Sequence, residues 1–176
     1  AALIILVLTF NLIQCNNRPE PDTEEHIKLA TSMIDDAYLA NADNTPENWV
    51  TYGKNYAEDR FSSLTQINKD NVEKLGLAWA LNLETTRGIE ATPLVVDGIM
   101  FLSGPWSKVF AVNAQTGKLI WKYDPEVPGK VGDRLCCDVV NRGLALYKGR
   151  VFVGTLDGRL ISLDAATGTP VWQVLT

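Results

Sequence analysis

Thr116-Gly117-Lys118-Leu119-Ile120-Trp121 aligns with Thr167-Gly168-Thr169-Pro170-Val171-Trp172 at an offset of 51 residues. The same offset sets Gly98 on Gly149, Phe101 on Phe152 and Ala114 on Ala165. It also superposes Val109, Phe110 and Val112 on Leu160, Ile161 and Leu163. Recurrence at this period is the signature of stacked supersecondary units, each too small to bury its apolar face alone. Each unit reads as strand, Gly turn, strand, polar turn, strand, Thr-Gly turn, Trp-bearing strand. The turns of the second unit are Lys148-Gly149, Asp157-Gly158 and Thr167-Gly168, and Asp-Gly is among the strongest short hairpin signals.

Four short antiparallel strands in about 50 residues make a β-propeller blade. Val151-Phe152-Val153 is apolar at consecutive positions, so both faces need cover; a half-solvated sheet would alternate. Kelch blades have a similar period of about 50 residues, but they pair glycines where this chain has Thr-Gly-x-x-x-Trp. Trp121 and Trp172 are therefore expected to pack between blades. Trp79, 42 residues before Trp121, is expected to mark another outer strand. The fold expected is all-β, with residues 46–176 forming the first blades of a propeller. Two units and part of a third cannot close a ring.

Composition narrows the function classes. With 46% hydrophobic and 21% charged residues over 176 positions, wholesale disorder, a fibre and a polytopic membrane protein are all excluded. A net charge of −5 argues against nucleic acid as a partner, because phosphate binding needs a basic face. Three cysteines are too few for a disulfide scaffold.

From Ala1 to Ile13 only Thr9 and Asn11 interrupt an apolar run, and no charge precedes Arg18. The run is shorter than the roughly 20 residues that span a bilayer. It fits the apolar part of a signal segment covering residues 1–15, without its basic start. Leu12-Ile13-Gln14-Cys15 resembles a bacterial lipoprotein cleavage site, which makes Cys15 a candidate for lipidation; plain cleavage and an uncleaved anchor are the alternatives. All three export the chain, with the periplasm as the expected location, and disulfides persist outside the cytoplasm. Residues 16–25 read as a polar linker and 26–45 as a helix and lead-in. Asp22 and Glu25 offer a capping box, and Ile27, Ala30, Ile34, Ala37 and Tyr38 recur at helical spacing, so one amphipathic helix is expected over Glu24–Ala40. His26, the single histidine, is expected to be solvated on its first turn.

The string Leu135-Cys136-Cys137-Asp138-Val139-Val140-Asn141-Arg142-Gly143 carries the most chemistry. Adjacent Cα atoms lie about 3.8 Å apart, below the usual disulfide window that opens near 4.4 Å. A bridge between the two cysteines would be strained, and such strain persists where function uses it. The alternative is a pair of buried thiols at the start of a strand. The repeat offset sets Asn141 on Glu90 and Arg142 on Ala91. Glu90 and Arg142 thus approach the first strands of successive blades, which line a propeller's channel. They can form an ion pair that closes the channel, or they can bind a planar, acidic small molecule that suits the donor fork of Arg.

At these residues the chain resembles the N-terminal part of the pyrroloquinoline quinone (PQQ)-dependent alcohol dehydrogenases, the methanol and ethanol dehydrogenase group. Likeness starts near Leu39-Ala40-Asn41-Ala42-Asp43 and takes in Asn48-Trp49, Tyr52-Gly53, Arg60-Phe61-Ser62, Gln66-Ile67-Asn68 and Val72 to Trp79. It is most specific at Glu90-Ala91-Thr92-Pro93, at Cys136 to Gly143 and at Gly154 to Arg159. The resemblance implies an eight-bladed propeller holding PQQ near its axis, beside Ca²⁺ or a lanthanide. It implies a vicinal Cys136–Cys137 disulfide against the quinone ring, with Glu90, Val140 and Arg142 as further cofactor-binding residues. The implied reaction is periplasmic oxidation of a small primary alcohol to an aldehyde, with a c-type cytochrome as electron acceptor and, in some relatives, an appended haem c domain. Metal ligands and the catalytic base would lie beyond Thr176, so residues 1–176 alone are expected to be inactive.

Two other readings compete. One is a non-enzymatic propeller scaffold, such as a lipoprotein of outer-membrane assembly, which Cys15 and the repeats fit but Cys136-Cys137 and Arg142 do not. The other is a PQQ sugar dehydrogenase, whose membrane-bound glucose enzymes lack the adjacent cysteines.

Overall fold

The computed structural model describes residues 18–176. The expected signal segment 1–15 and Cys15 lie outside the described residues.

The repeat folds as two four-stranded antiparallel sheets, each in sequence order. The first blade holds β1 (Leu94–Val96), β2 (Ile99–Ser103), β3 (Val109–Asn113) and β4 (Leu119–Tyr123). The second holds β5 (Ala145–Tyr147), β6 (Arg150–Gly154), β7 (Arg159–Asp164) and β8 (Pro170–Leu175). Even the irregularities repeat: the β3–β4 register shifts at Ala111/Val112, and the β7–β8 register shifts at the equivalent Ser162/Leu163. The first hairpin of each blade turns through Asp97-Gly98 or Lys148-Gly149, with φ of 48° and 77° or 44° and 73°. Two consecutive left-handed residues define the type I′ turn, whose twist matches the flanking strands.

The core lies between the blades and beneath the N-terminal helices. Leu94, Val96, Ile99, Phe101, Leu146, Val151, Ile161 and Leu163 are buried there with Ile27 and Ile34. Phe101 is fully buried and its ring lies 5.9 Å from that of Trp121. Phe152 and Trp172 keep the same 5.9 Å spacing on the second blade, but Trp172 remains 45% exposed. Trp121 packs between blades as expected; Trp172 sits on an outer face that nothing among the described residues covers.

Trp79 shows what the Thr-Gly turn is for. Its indole N–H donates to the Ala114 carbonyl at 3.0 Å, and Trp121 donates to the equivalent Ala165 carbonyl at 3.0 Å. Each indole lies flat on the glycine of the receiving turn, Gly117 or Gly168, where a Cβ would stand 2.5 Å from the ring. The Trp of one unit therefore docks on the Thr-Gly turn of the next. Trp79 does so from a segment that is not a strand, contrary to expectation. Residues 46–93 as a whole, expected within the first blades, form no strand, only an isolated bridge between Trp49 and Val95. A strand needs a neighbour for its hydrogen bonds, and Phe61, Ile67 and Leu77 are exposed here.

The single helix expected over Glu24–Ala40 is two, α1 (Glu24–Ser32) and α2 (Asp36–Ala40). The Lys148-Gly149 turn causes the break. Its N–H groups donate to the carbonyls of Ile34 (2.7 Å) and Thr31 (3.0 Å), so the chain gives its terminal acceptors to the second blade. Asp35 then restarts the helix by accepting from the Tyr38 N–H at 2.9 Å. Thr23, not Asp22, caps α1, accepting from the His26 N–H at 3.2 Å. His26 is buried, not solvated. Its Nε2 lies 3.1 Å from the Asp97 carboxylate and its Nδ1 accepts from the Asp22 N–H at 3.2 Å. Asp22 accepts in turn from Asn113 Nδ2. The helix start is thereby pinned to the first blade.

Candidate functional site

The link between β4 and β5 builds one polar wall from Leu135 to Gly143. Its middle is fixed by the Trp106 N–H, which donates to the Val139 carbonyl at 2.9 Å. Trp106 also closes over Gly132, where an added Cβ would meet the indole at 3.2 Å. Asp138 takes a left-handed φ of 65° and pairs with Arg87 at 2.9 Å. Thr92 N–H donates to the Arg142 carbonyl at 3.3 Å, so the approaches to β1 and β5 run side by side, as the repeat offset implied.

That register brings Glu90 and Arg142 together, with Arg142 Nε 3.1 Å from Glu90 Oε2. Both are open to solvent, with side-chain exposures of 46% and 67% respectively. An exposed pair of this kind contributes about 0–1 kcal/mol, too little to explain the placement as a structural brace. Cys136 and Cys137 are thiols here, both exposed, with sulfurs 2.7 Å apart. The buried pair weighed from the sequence is therefore not what forms. Hydrogen bonding to Cys136 and the charge on that neighbour push the Cys137 thiol up, while the Arg142 cation opposes the shift. Val140 is half-buried. A sulfur pair, a guanidinium fork and a carboxylate thus open on one side of the wall. This donor set fits a planar, anionic ligand such as PQQ. No cluster of three or more His, Cys, Asp or Glu able to hold a metal occurs among the described residues.

The Gly154-to-Arg159 string has a different task. Arg159 grips Asp157 with Nη2 at 2.7 Å and donates through the same nitrogen to the Pro125 carbonyl at 2.7 Å. This clamp ties the second blade to the exit of the first. The Arg159 hydrogen bond holds the Asp157 carboxyl below its ordinary range. Sequence reading also passed over Lys54. Its buried ammonium donates to the carbonyls of Ala42, Thr45 and Asn48 at 3.1, 3.0 and 2.7 Å and ties the lead-in into a loop. No local pattern marks such a residue, since its acceptors are backbone atoms.

Consecutive four-stranded blades, locked by indole-on-glycine docking and opening a polar wall where the first strands begin, define a tryptophan-docked β-propeller. A family model described as the PQQ β-propeller domain of glucose, ethanol and alcohol dehydrogenases matches residues 49–173, and the chain belongs to that family. The quinohemoprotein alcohol dehydrogenase of Comamonas testosteroni is 58% identical over 145 residues, covering 82% of this chain and 20% of that protein. Its crystal structure superposes with a TM-score of 0.83, covering 87% of this chain and 23% of that one. The 1-butanol dehydrogenase (cytochrome c) of Thauera butanivorans is 54% identical over 125 residues, which is 71% of this chain and 18% of that protein. A europium-containing methanol dehydrogenase aligns with a TM-score of 0.75 at 39% identity, over 80% of this chain and 25% of that one. The chain spans about a fifth of the length of the curated relatives it matches. The family resemblance and the propeller fold are thereby borne out, and the scaffold reading is not favoured.

Proposed function

We propose that this chain supplies the first two blades, and one wall of the cofactor site, of a periplasmic dehydrogenase that oxidises primary alcohols to aldehydes with PQQ. The observation that carries the reading is the shared open face of Cys136, Cys137, Glu90 and Arg142. When bound, PQQ supplies the two-electron acceptor, with Ca²⁺ or a lanthanide as the Lewis acid beside it. Arg142 holds an anionic edge of the ligand, and Glu90 both orients Arg142 and accepts from the ligand's donors. Cys136 and Cys137, bridged in the oxidised protein, present a flat, water-excluding surface, and Val140 backs it. The relatives' names support an alcohol over a sugar, and one of them supports a c-type cytochrome as acceptor. A haem c domain, as the quinohemoprotein relatives imply, would receive the electrons in the same molecule. Lipidation of Cys15 would tether the enzyme to a membrane.

The test uses the purified protein carrying this chain, reconstituted with PQQ and Ca²⁺ or a lanthanide, and assayed with ethanol and a redox dye. Quinone-dependent aldehyde formation is expected. In the same preparation, alkylation before and after mild reduction, read by mass spectrometry, should find the two cysteines protected until reduced. Dye reduction that is equal with and without PQQ would overturn the function, and two alkylated thiols in active enzyme would overturn the bridge.

A further inference from the structure

We infer that Asn141 and Ser107 form a lock that sets the geometry of the cofactor wall, making them positioning residues for Cys136, Cys137 and Arg142. The inference rests on the reading of that wall as a PQQ site. Asn141 stands next to Arg142, yet its side chain turns away from the open face. Its Nδ2 donates to the Gly154 carbonyl at 2.9 Å and to Ser107 Oγ at 3.3 Å. Its Oδ1 accepts from the Gly143 N–H at 3.1 Å, which closes an Asx turn around Arg142 itself. Ser107 is fully buried, and its Oγ also accepts from the Leu156 N–H at 3.3 Å. One amide and one hydroxyl therefore join three segments: the β2–β3 turn, the β6–β7 turn and the wall.

The backbone at the lock is strained, and a backbone hydrogen bond and the Ser107 hydroxyl hold it together. Trp106 and Ser107 are consecutive non-glycine residues in the left-handed region, with φ of 62° and 59°. Such residues persist where surrounding contacts over-determine them, and they gather at functional sites. Here the contacts are the Trp106 N–H to Val139 and the two bonds to Ser107 Oγ; the bonds to Val139 and Asn141 reach the wall, and the bond from the Leu156 N–H reaches the β6–β7 turn behind it. The strain thus converts two blade turns into a fixed backing for the residues that face the ligand. Supporting shells of this kind commonly change ligand affinity tenfold or more when they are removed.

The experiment compares wild-type protein with Asn141→Ala, Ser107→Gly and, as a control, Leu163→Ala in the blade core. Glycine accepts the φ of residue 107, so that variant removes the hydroxyl without adding strain and serves where Asn141→Ala does not fold. Two quantities are read: the PQQ dissociation constant of the apoprotein, and hydrogen–deuterium exchange of the peptide spanning 136–143. The lock predicts about tenfold weaker PQQ binding and faster exchange in both lock variants. Leu163→Ala should lower the melting temperature and leave both quantities unchanged. Affinity and exchange within twofold of wild type in a folded lock variant would overturn the inference. Equal loss in Leu163→Ala would overturn it too, because affinity would then follow global stability. If wild-type protein bound no PQQ, the function would fall while exchange alone still decided the lock.

Discussion

Asp157 sits in a ring of donors. Thr155 Oγ1 and the Arg159 guanidinium both reach its carboxylate, and Arg159 passes the tie on to Pro125. The Arg159 hydrogen bond lowers its pKa in the fold, so its stabilising contribution is complete above the unfolded value of about 3.9 and fades as pH falls through the lower folded value. Asp157→Asn should therefore cost stability at pH 7 and make the remaining acid dependence shallower below about pH 4, as urea midpoints across pH would measure. An unchanged acid limb would remove Asp157 from the account. The Asp-Gly turn at this position was legible in the sequence because a turn is a local matter. The clamp was not legible, since Pro125 lies 34 residues away. His26 was misread for the same reason: its partner Asp97 is 71 residues distant.

The blade is the element that repeats, and the contact joining one blade to the next is an indole resting on a glycine. Gly168 needs both the left-handed backbone, at φ 71°, and an absent side chain under Trp121. Gly168→Ala should cost at least about 2 kcal/mol, combining the left-handed penalty with the forced withdrawal of the ring. Gly76, with nothing within 4 Å of an added Cβ, should accept Ala with a change of about 0.5 kcal/mol or less. Chemical denaturation of both variants checks the contrast, and equal costs would mean that the docked indole does not hold the blades. The four-strand pattern could be read directly from the residues, because turn glycines and strand periodicity are properties of neighbours in sequence. Which Trp meets which Gly could not, because the docking partner belongs to the following unit. The split of the helix into α1 and α2 was hidden too, as it depends on the Lys148-Gly149 turn more than 100 residues later.

Among the described residues, the two blades bury their shared face and nothing covers the other face of the second blade. Phe101 and Phe152 have the same tryptophan partner geometry and differ only in cover. The residues that carry chemistry are gathered at the mouth where β1 and β5 begin, and nearly all of them were visible in one string, Cys136 to Arg142. Only the backing, Ser107 with its left-handed backbone, had no sequence signal. That mouth is the proposed PQQ wall. The most direct measurement is a titration of the purified apoprotein with PQQ, comparing wild type with Arg142→Ala. Removing a charge-assisted hydrogen-bond donor should weaken binding by about tenfold or more, at an unchanged melting temperature, because the exposed Glu90 pair adds little to stability. Equal affinity in the two proteins would contradict the assignment of this wall to the quinone.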